Sequence, residues 1–351
     1  MKRKDLYING RFLTKPLTGI NRFAYELTCG LIKFGINVTI ICPKQAIKPE
    51  YDIKGLNIIK FGFGTSHIWE QISLPLFFVG KKDFMLMSFS GLGPIIIFNK
   101  IITIHDLAFL ENPSWFSKTY VLIYRLLIPL SARTSKRILT VSEFSKQEII
   151  NKLGIKEDSI SVIYNAVNNN QEEQESILEK VPKNYILAVS SIDPRKNYAR
   201  LTQAFTIIPN CNLVVVGGVS HIFNHVKMNR SLNNVYTLGR VTDAELTTLY
   251  KNARAFIYPS LYEGFGIPPI EAMTYGCPVV ASDLSVIHEV CGDAALYVNP
   301  YNIDEIAKAI ERVDNDINLR LDLRERGYKN IRRYSWHNSS VVLKKIIELY
   351  I

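Results

Sequence analysis

The stretch Tyr258-Pro259-Ser260-Leu261-Tyr262-Glu263-Gly264-Phe265-Gly266-Ile267-Pro268-Pro269-Ile270-Glu271-Ala272-Met273-Thr274-Tyr275-Gly276 sets two carboxylates, Glu263 and Glu271, eight positions apart across a turn rich in Gly and Pro. A strand-like run, Ala255 to Tyr258, comes before it, and a helix-compatible run, Ile270 to Tyr275, completes it. The spacing predicts strand, loop, helix. Gly264 and Gly266 leave the backbone free to take positive φ. Pro268 and Pro269 can open a helix, because the first helical N–H groups have no intrahelical partner. The amides of that first turn and the positive end of the helix dipole favour an anion such as phosphate. Glu263 then lies in the loop, facing whatever the loop holds, and Glu271 lies where a carboxylate accepts hydrogen bonds from sugar hydroxyls. A lone Glu in such a place is most often a cap or a solvated acid. Two Gly, two Pro and two Glu in one window after a strand argue for a ligand site.

Outward from this segment, short β-branched runs alternate with helical patterns. In the first half they are 6–8, 38–42, 58–61, 84–87, 101–104, 137–141 and 161–164; in the second, 185–189, 213–216, 235–238, 255–258, 279–281 and 295–298. Near-continuous apolar strands between helices indicate parallel sheets covered on both faces. Two such series imply an α/β chain with two Rossmann-like domains. The polar run Asn168 to Glu175 has no apolar period and reads as a linker. The expected division is an N-terminal domain 1–168, a linker 169–182, a C-terminal domain 183–335 and a final helix 336–351.

The chain has 351 residues, 47% of them hydrophobic and 21% charged, which suits two globular domains. The basic start is interrupted by Asp5, Asn9 and Arg11, so no secretory leader is read, and no run reaches the length of a membrane span. Five scattered cysteines without a CxxC pair suggest neither a disulfide frame nor a zinc site, and a reducing cytoplasm fits them. The net charge of +10 favours anionic partners: nucleic acid, anionic lipid or phosphorylated substrates. No nucleic-acid-binding module is visible. The segment Trp115 to Arg137 mixes apolar and aromatic residues with Lys118, Arg125, Arg133, Lys136 and Arg137. It reads either as a helix on an anionic membrane surface or as a core helix with a solvated basic face.

Three further clusters carry chemistry. Ile192-Asp193-Pro194-Arg195-Lys196-Asn197 follows a strand, and two cations in a Pro-set turn at a strand's carboxyl end suit a diphosphate. His105-Asp106 stands at another strand's carboxyl end, where open α/β sheets present ligands. Leu17-Thr18-Gly19-Ile20-Asn21-Arg22 follows the first strand and by itself is only a turn before a helix.

The segment around Glu263 and Glu271, with these clusters in this order, resembles the donor-binding signature of retaining GT-B glycosyltransferases of the family-4 type, over nearly the whole chain. The resemblance implies two Rossmann-like domains facing a cleft, the N-terminal one binding the acceptor and the C-terminal one the nucleotide sugar, with the last helix crossing back onto the N-terminal domain. It implies that Arg195 and Lys196 hold the diphosphate, and that the Gly264, Phe265, Gly266 and Ile267 backbone approaches it. It puts Glu263 on the transferred sugar, Glu271 on the ribose and the backbone at Val241 near the base. From the first domain it implies Gly19 and Asp106 at the donor and His105 beside the reacting carbon. His105, Glu263, Arg195 and Lys196 are the catalytic candidates. Two departures stand out: Ser190-Ser191 where many relatives have a Gly-Arg pair, and Thr18 where a second Gly is common.

Three patterns are read as coincidental. Gly62-Phe63-Gly64 lacks the third Gly of a dinucleotide fingerprint. His221 and His225 have no acid or Cys to complete a metal site. Asp314-Asn315-Asp316 lies in a charged helical stretch and reads as a solvated face.

The expected function is a retaining, metal-independent transfer of a hexose from a nucleotide diphosphate sugar, UDP- or GDP-linked, to a glycan or lipid-linked acceptor in bacterial surface polysaccharide assembly, such as O-antigen. No cofactor or metal is expected. The setting implied is the cytoplasm, at the inner face of the cytoplasmic membrane. A nucleotide-sugar epimerase or phosphorylase on the same fold, and a non-catalytic sugar-nucleotide-binding subunit, stay open as alternatives.

Overall fold

The computed structural model describes residues 4–169, 172–218 and 232–351; His221 and His225 lie outside the described residues. Each apolar run read from the sequence forms a strand. In the first unit these are β1 (Asp5–Asn9), β2 (Val38–Cys42), β3 (Ile58–Lys60), β4 (Phe84–Ser88), β5 (Lys100–Thr103), β6 (Arg137–Thr140) and β7 (Ile160–Val162). They form one parallel sheet in the order β3-β2-β1-β4-β5-β6-β7. In the second unit β8 (Ile186–Val189), β9 (Leu213–Val216), β10 (Val235–Gly239), β11 (Ala255–Tyr258), β12 (Val279–Ser282) and β13 (Ala295–Val298) form another. Its order is β10-β9-β8-β11-β12-β13, again parallel. The strand order reverses between β1 and β4 in one sheet and between β8 and β11 in the other. At such a switch point the connections leave toward opposite faces and open a crevice at the carboxyl ends.

The first unit comprises the described residues up to Leu107, with Leu122–Asn165 and Tyr334–Ile351; Ala108–Val121 groups with the second unit, whose main body is Ala166–Arg333. The described part of the linker is not free of structure. A 3-10 turn, Glu175–Lys180, forms there, the Gln174 N–H donates to Thr248 Oγ1 (2.9 Å), and Glu173 pairs with Lys251. Polar composition hid this because the anchoring is by hydrogen bonds and one apolar plug, Ile177, which is 2% exposed.

The final helix, Trp336–Ile347, lies in the first unit against the helix Gly19–Lys33. Ser335 caps it by accepting from the Asn338 N–H at 3.1 Å. Phe23 meets Trp336 edge-on at 6.2 Å, and Ser339 Oγ donates to the Tyr164 carbonyl at 2.7 Å. The close approach depends on Gly30: a Cβ there would stand 1.9 Å from Ser340 Oγ and 2.6 Å from its Cβ.

Lys100 opens β5 fully buried, its Nζ donating to the Ile97 carbonyl (2.7 Å) and Thr134 Oγ1 (2.6 Å). Burial pushes its pKa from 10.5 down to about 7.

Gly30→Ala should lose about 1–3 kcal/mol in urea denaturation despite its better helix propensity, because overpacking outweighs the propensity gain. Adding Ser340→Gly should restore most of the loss. For Lys100, the unfolded chain holds its proton up to a higher pH than the folded one. Stability should therefore rise with pH between about 7 and 10.5. That slope should flatten in Lys100→Met, measured as the wild-type minus variant difference.

Candidate functional site

The loops after β8 and β11 meet at the switch point of the second sheet. Asp193 is wholly buried and sets the first loop: its carboxylate accepts from the Arg195 N–H (3.1 Å) and from Ser191 Oγ (2.8 Å). Pro194–Lys196 makes one 3-10 turn, ended by Asn197 at φ +62. Asn197 Nδ2 then donates to the carbonyls of Pro259 (3.0 Å) and Pro300 (2.6 Å), while the Leu261 N–H donates to the Arg195 carbonyl (2.8 Å). The two loops are thus laced together through their backbones.

Side chains complete the junction. Lys196 Nζ donates to Glu263 Oε1 at 2.6 Å and to the Tyr258 hydroxyl at 2.9 Å, and stands 4.9 Å from the Tyr258 ring centroid. Both charged side chains are buried, 8% and 7% exposed. Burial pushes the Glu263 carboxyl up, but the Lys196 ammonium and then the Arg195 guanidinium outweigh it and hold it below the usual carboxylate range. Glu263 is therefore ionised at neutral pH and accepts hydrogen bonds only. An ammonium has three N–H groups. Two are given to Glu263 and Tyr258, and the third suits a phosphate oxygen. Arg195 Nε lies 3.8 Å from Asp193 Oδ1, a contact that braces the guanidinium at the same edge.

Beyond Glu263 the chain enters the helix Ile267–Thr274 through Gly266, at φ +101, where a Cβ would also stand 3.0 Å from Ile287 Cδ1. Of the two loop glycines only Gly266 is in the left-handed region; Gly264 is buried with ordinary φ. Glu271 lies in the second turn of the helix and accepts from the Tyr250 hydroxyl at 3.4 Å. Beside β8, Gly217 ends β9 at φ +150, and a Cβ there would fall 1.7 Å from the Ser190 carbonyl oxygen. The backbone is thus pressed against Ser190-Ser191, where bulk would close the edge. Val241 follows β10, half-buried, just before the capping box in which Thr242 and Glu245 open the next helix.

In the first unit His105 follows β5. Its Nε2 is 2.8 Å from the Phe89 carbonyl oxygen, so that nitrogen carries the proton and Nδ1 is the acceptor of the neutral ring. Burial pushes its pKa down, against the opposing pull of that carbonyl and of Asp106. Phe23, one turn into the helix that Gly19 begins, packs edge-on to the ring at 5.1 Å. Ser145 Oγ donates to the His105 carbonyl (3.2 Å), at the start of a helix that Ser142 caps.

Residues 17–171 match the family described as glycosyltransferase family 4, and residues 169–330 match glycosyl transferases group 1. An O-antigen chain mannosyltransferase B of Escherichia coli is 32% identical over 255 residues, spanning 67% of its length and 68% of this chain. The chain belongs to the group 1, family 4 glycosyltransferases. The O-antigen chain mannosyltransferase RfbU of Salmonella typhimurium is 37% identical over 233 residues, 62% of this chain. The match spans just under two thirds, 64%, of that relative. Among solved structures, Anabaena HepE in complex with UDP-glucose superposes with a TM-score of 0.75 at 17% identity, covering 98% of this chain and 99% of that one. WaaG, a glycosyltransferase involved in lipopolysaccharide biosynthesis, gives 0.73 at 14% identity, with 97% and 99% covered. At these identities the likeness is one of fold, and it is the GT-B fold.

Within this family frame, the second unit brings Arg195, Lys196, Glu263, Gly264, Phe265, Gly266 and Ile267 to one sheet edge, with Glu271 on the adjoining helix. The first unit sets His105 and Asp106 at a strand end and Gly19 at a helix start. Sequence reasoning missed the Lys196–Glu263 ion pair, since the two residues are 67 positions apart. It missed Tyr258, read only as a strand end, and Asn197, whose signal was its place after a Pro-set turn. Of the coincidental patterns, Gly62 and Gly64 take positive φ against Trp69 and Ser73 as structural turns. The Asp314 stretch is a correction: it is not a solvated face. Arg254 Nη1 binds Asp314 Oδ1 at 3.2 Å, and Asp316 caps a helix through the Leu319 N–H at 2.9 Å.

Lys196→Met leaves Glu263 buried without its counter-charge and should cost about 3–5 kcal/mol in denaturant titration at pH 7, whereas Lys196→Met with Glu263→Leu should recover most of it. Glu263 contributes stability above its unfolded pKa that is lost as pH falls through its lower folded value. The deficit of the single variant should therefore shrink toward pH 4, where its lone carboxyl takes up a proton.

Proposed function

We propose that this chain transfers a hexosyl group from a nucleoside diphosphate sugar to a glycan or lipid-linked acceptor, with retention and without a metal ion, in the assembly of a bacterial surface polysaccharide. The observation that carries the reading is the buried Lys196–Glu263 pair at the β8/β11 switch point, beside the start of the helix Ile267–Thr274. It supplies an ionised acceptor for sugar hydroxyls next to fixed cations for a diphosphate. Lys196 and Arg195 stabilise the leaving diphosphate, the work a metal ion would otherwise do. The Gly264–Ile267 backbone faces the phosphates, Glu271 takes the ribose hydroxyls and Val241 lies toward the base. The mannosyltransferase names of the relatives favour mannose, and the UDP-glucose seen in HepE favours a nucleotide-linked donor.

The reaction breaks the bond from the anomeric carbon to the diphosphate oxygen and forms one to the acceptor oxygen on the same face. The acceptor proton passes to the departing diphosphate. His105 fits a positioning and polarising part in this step, since its pKa is lowered and its Nε2–H is already given to a carbonyl. Its Nδ1 can accept from a hydroxyl of the transferred sugar.

A lipid-linked acceptor would be met at a membrane. Among the described residues no helix is long and apolar enough to cross one. The helix Lys118–Arg133 buries Val121, Ile128 and Ala132, yet leaves Leu122, Leu126 and Leu130 exposed at four-residue spacing beside Arg125 and Arg133. Ile68, Ile72 and Leu76, in an earlier segment, are also exposed at four-residue spacing. An exposed apolar stripe flanked by arginines suits a surface of anionic lipid.

The decisive measurement is a panel of UDP-, GDP-, ADP- and dTDP-sugars, read by thermal shift and by transfer, with the product anomer assigned by NMR. One donor should stabilise the protein, transfer should proceed in excess EDTA, and the donor's anomeric configuration should persist. Glu263→Gln should lower kcat/KM by about 100-fold or more. Epimer formation, phosphate-dependent cleavage, or binding with no transfer would overturn the reading. Leu122→Asp with Leu126→Asp should abolish sedimentation with phosphatidylglycerol vesicles, and unchanged sedimentation would refute the membrane contact.

A further inference from the structure

A second buried polar cluster occupies the switch point of the first sheet, and the donor assignments above leave it without a role. Asn9 ends β1 and Ser88 ends β4, joined by a bond from Asn9 Nδ2 to Ser88 Oγ of 3.2 Å. Between them lies Glu70, 0% exposed, on a π-helical turn, Trp69–Ser73. Such turns cluster at functional positions. Glu70 Oε1 accepts from Asn9 Nδ2 (2.7 Å) and from the Gly93 N–H (3.3 Å). Its Oε2 lies 3.3 Å from Arg11 Nη1 and 3.6 Å from His67 Nδ1. Burial pushes this carboxyl up, but Arg11 and then His67 outweigh it and hold it low. With two hydrogen bonds on Oε1 and the Arg11 guanidinium beside Oε2, this carboxylate stays ionised, so it does not abstract protons; it positions what surrounds it.

What it positions is the open side of the cluster. Arg11 is 11% exposed and His67 30%. His67 meets Tyr124 edge-on, centroids 5.6 Å apart, with Nε2 3.4 Å from the hydroxyl. The residue before His67, Ser66, is held at φ +52, a strained value for a residue with a Cβ. Arg11 Nη2 donates to the Ser90 carbonyl at 3.0 Å, and the preceding carbonyl, Phe89, is the one that holds His105. Arg11 and His105 thus hang from consecutive residues, whose Cα atoms are about 3.8 Å apart. Through these neighbouring carbonyls the cluster is linked to the side chain assigned to the transferred sugar, within the first unit.

We propose that Arg11, His67 and Tyr124 form the subsite for the acceptor's sugar ring, an inference that rests on the glycosyltransferase reading. Glu70 cancels the charge of Arg11, so the cluster offers directional N–H and O–H groups without the net positive charge that a free anion would seek. Two ring edges frame it. That combination fits a neutral, hydroxyl-rich ring, and its place beside His105 is where an acceptor hydroxyl must arrive.

The test uses the full chain, wild type and the mild variants His67→Gln and Tyr124→Phe. Octyl α-mannoside, glucoside, galactoside and N-acetylglucosaminide are the probes, followed by saturation-transfer NMR without donor. At least one glycoside should bind the wild type, and each variant should weaken it about tenfold. Where that glycoside is an acceptor, its KM should rise by a similar factor, with the donor KM and the nucleotide-sugar thermal shift unchanged. No glycoside binding to the wild type, binding unaltered by both variants, or displacement by millimolar inorganic phosphate would overturn the subsite. Glycoside binding lost in the variants, in a protein that responds to no nucleotide sugar, would uphold the subsite and count against the donor reading instead. Circular dichroism and an unchanged urea midpoint establish that the variants are folded.

Discussion

The ion pair between Lys196 and Glu263 is the constraint from which the second unit's site follows. A carboxylate that far from water is stable as an anion only with a cation and hydrogen bonds at hand. Here the cation comes from the loop after β8 and the acid from the loop after β11, so the pair can form only if the two strands are neighbours in the sheet. Adjacent strands alone would leave the loops free to splay. Asn197 prevents this by spanning to Pro259 and Pro300, and the left-handed turn at Asn197 is what aims its amide there. The charges are therefore held in place before any ligand arrives, and a site that is already ordered loses less on binding or on reaching the transition state.

The sheets were legible because their signal is local. Leu213–Val216 and Ala255–Tyr258 start and stop where the apolar runs do, since a strand buried on both faces has no polar position to blur its ends. The loop around Glu263 was legible for a related reason: Gly266, Pro268 and Pro269 each limit the backbone to a few conformations. What stayed hidden were relations across long separations. Nothing near Tyr258 says that its hydroxyl meets Lys196, and nothing near Glu70 says that it is dry. Glu70 looks like an ordinary helix acid, flanked as it is by Gln71 and two exposed isoleucines. Only the sheet order, which puts β1 beside β4, brings Asn9, Arg11 and Ser88 to it. Asp314 was misread for the opposite reason, because a charged neighbourhood in sequence concealed a specific partner, Arg254.

The two sheets solve one physical problem twice. In each, a cation placed just after the first strand, Arg11 after β1 and Lys196 after β8, meets a buried carboxylate beside the strand across the switch point, β4 or β11. In each, burial works against the acid and the cation more than compensates. The crevice at a switch point exposes backbone N–H and C=O groups at the carboxyl ends of two strands, and polar side chains are the natural means of satisfying them. A neutralised pair does this without flooding the crevice with charge, and it leaves N–H and carboxylate lone pairs pointing in fixed directions. The difference between the two lies in what surrounds the pair. In the second unit Arg195 and the start of the helix Ile267–Thr274 add positive character, which suits phosphates. In the first, His67 and Tyr124 add ring edges and hydroxyl-matched groups instead. The same device therefore reads as an anion site in one sheet and a neutral polar site in the other, a division of labour that follows from local charge and needs no difference in fold.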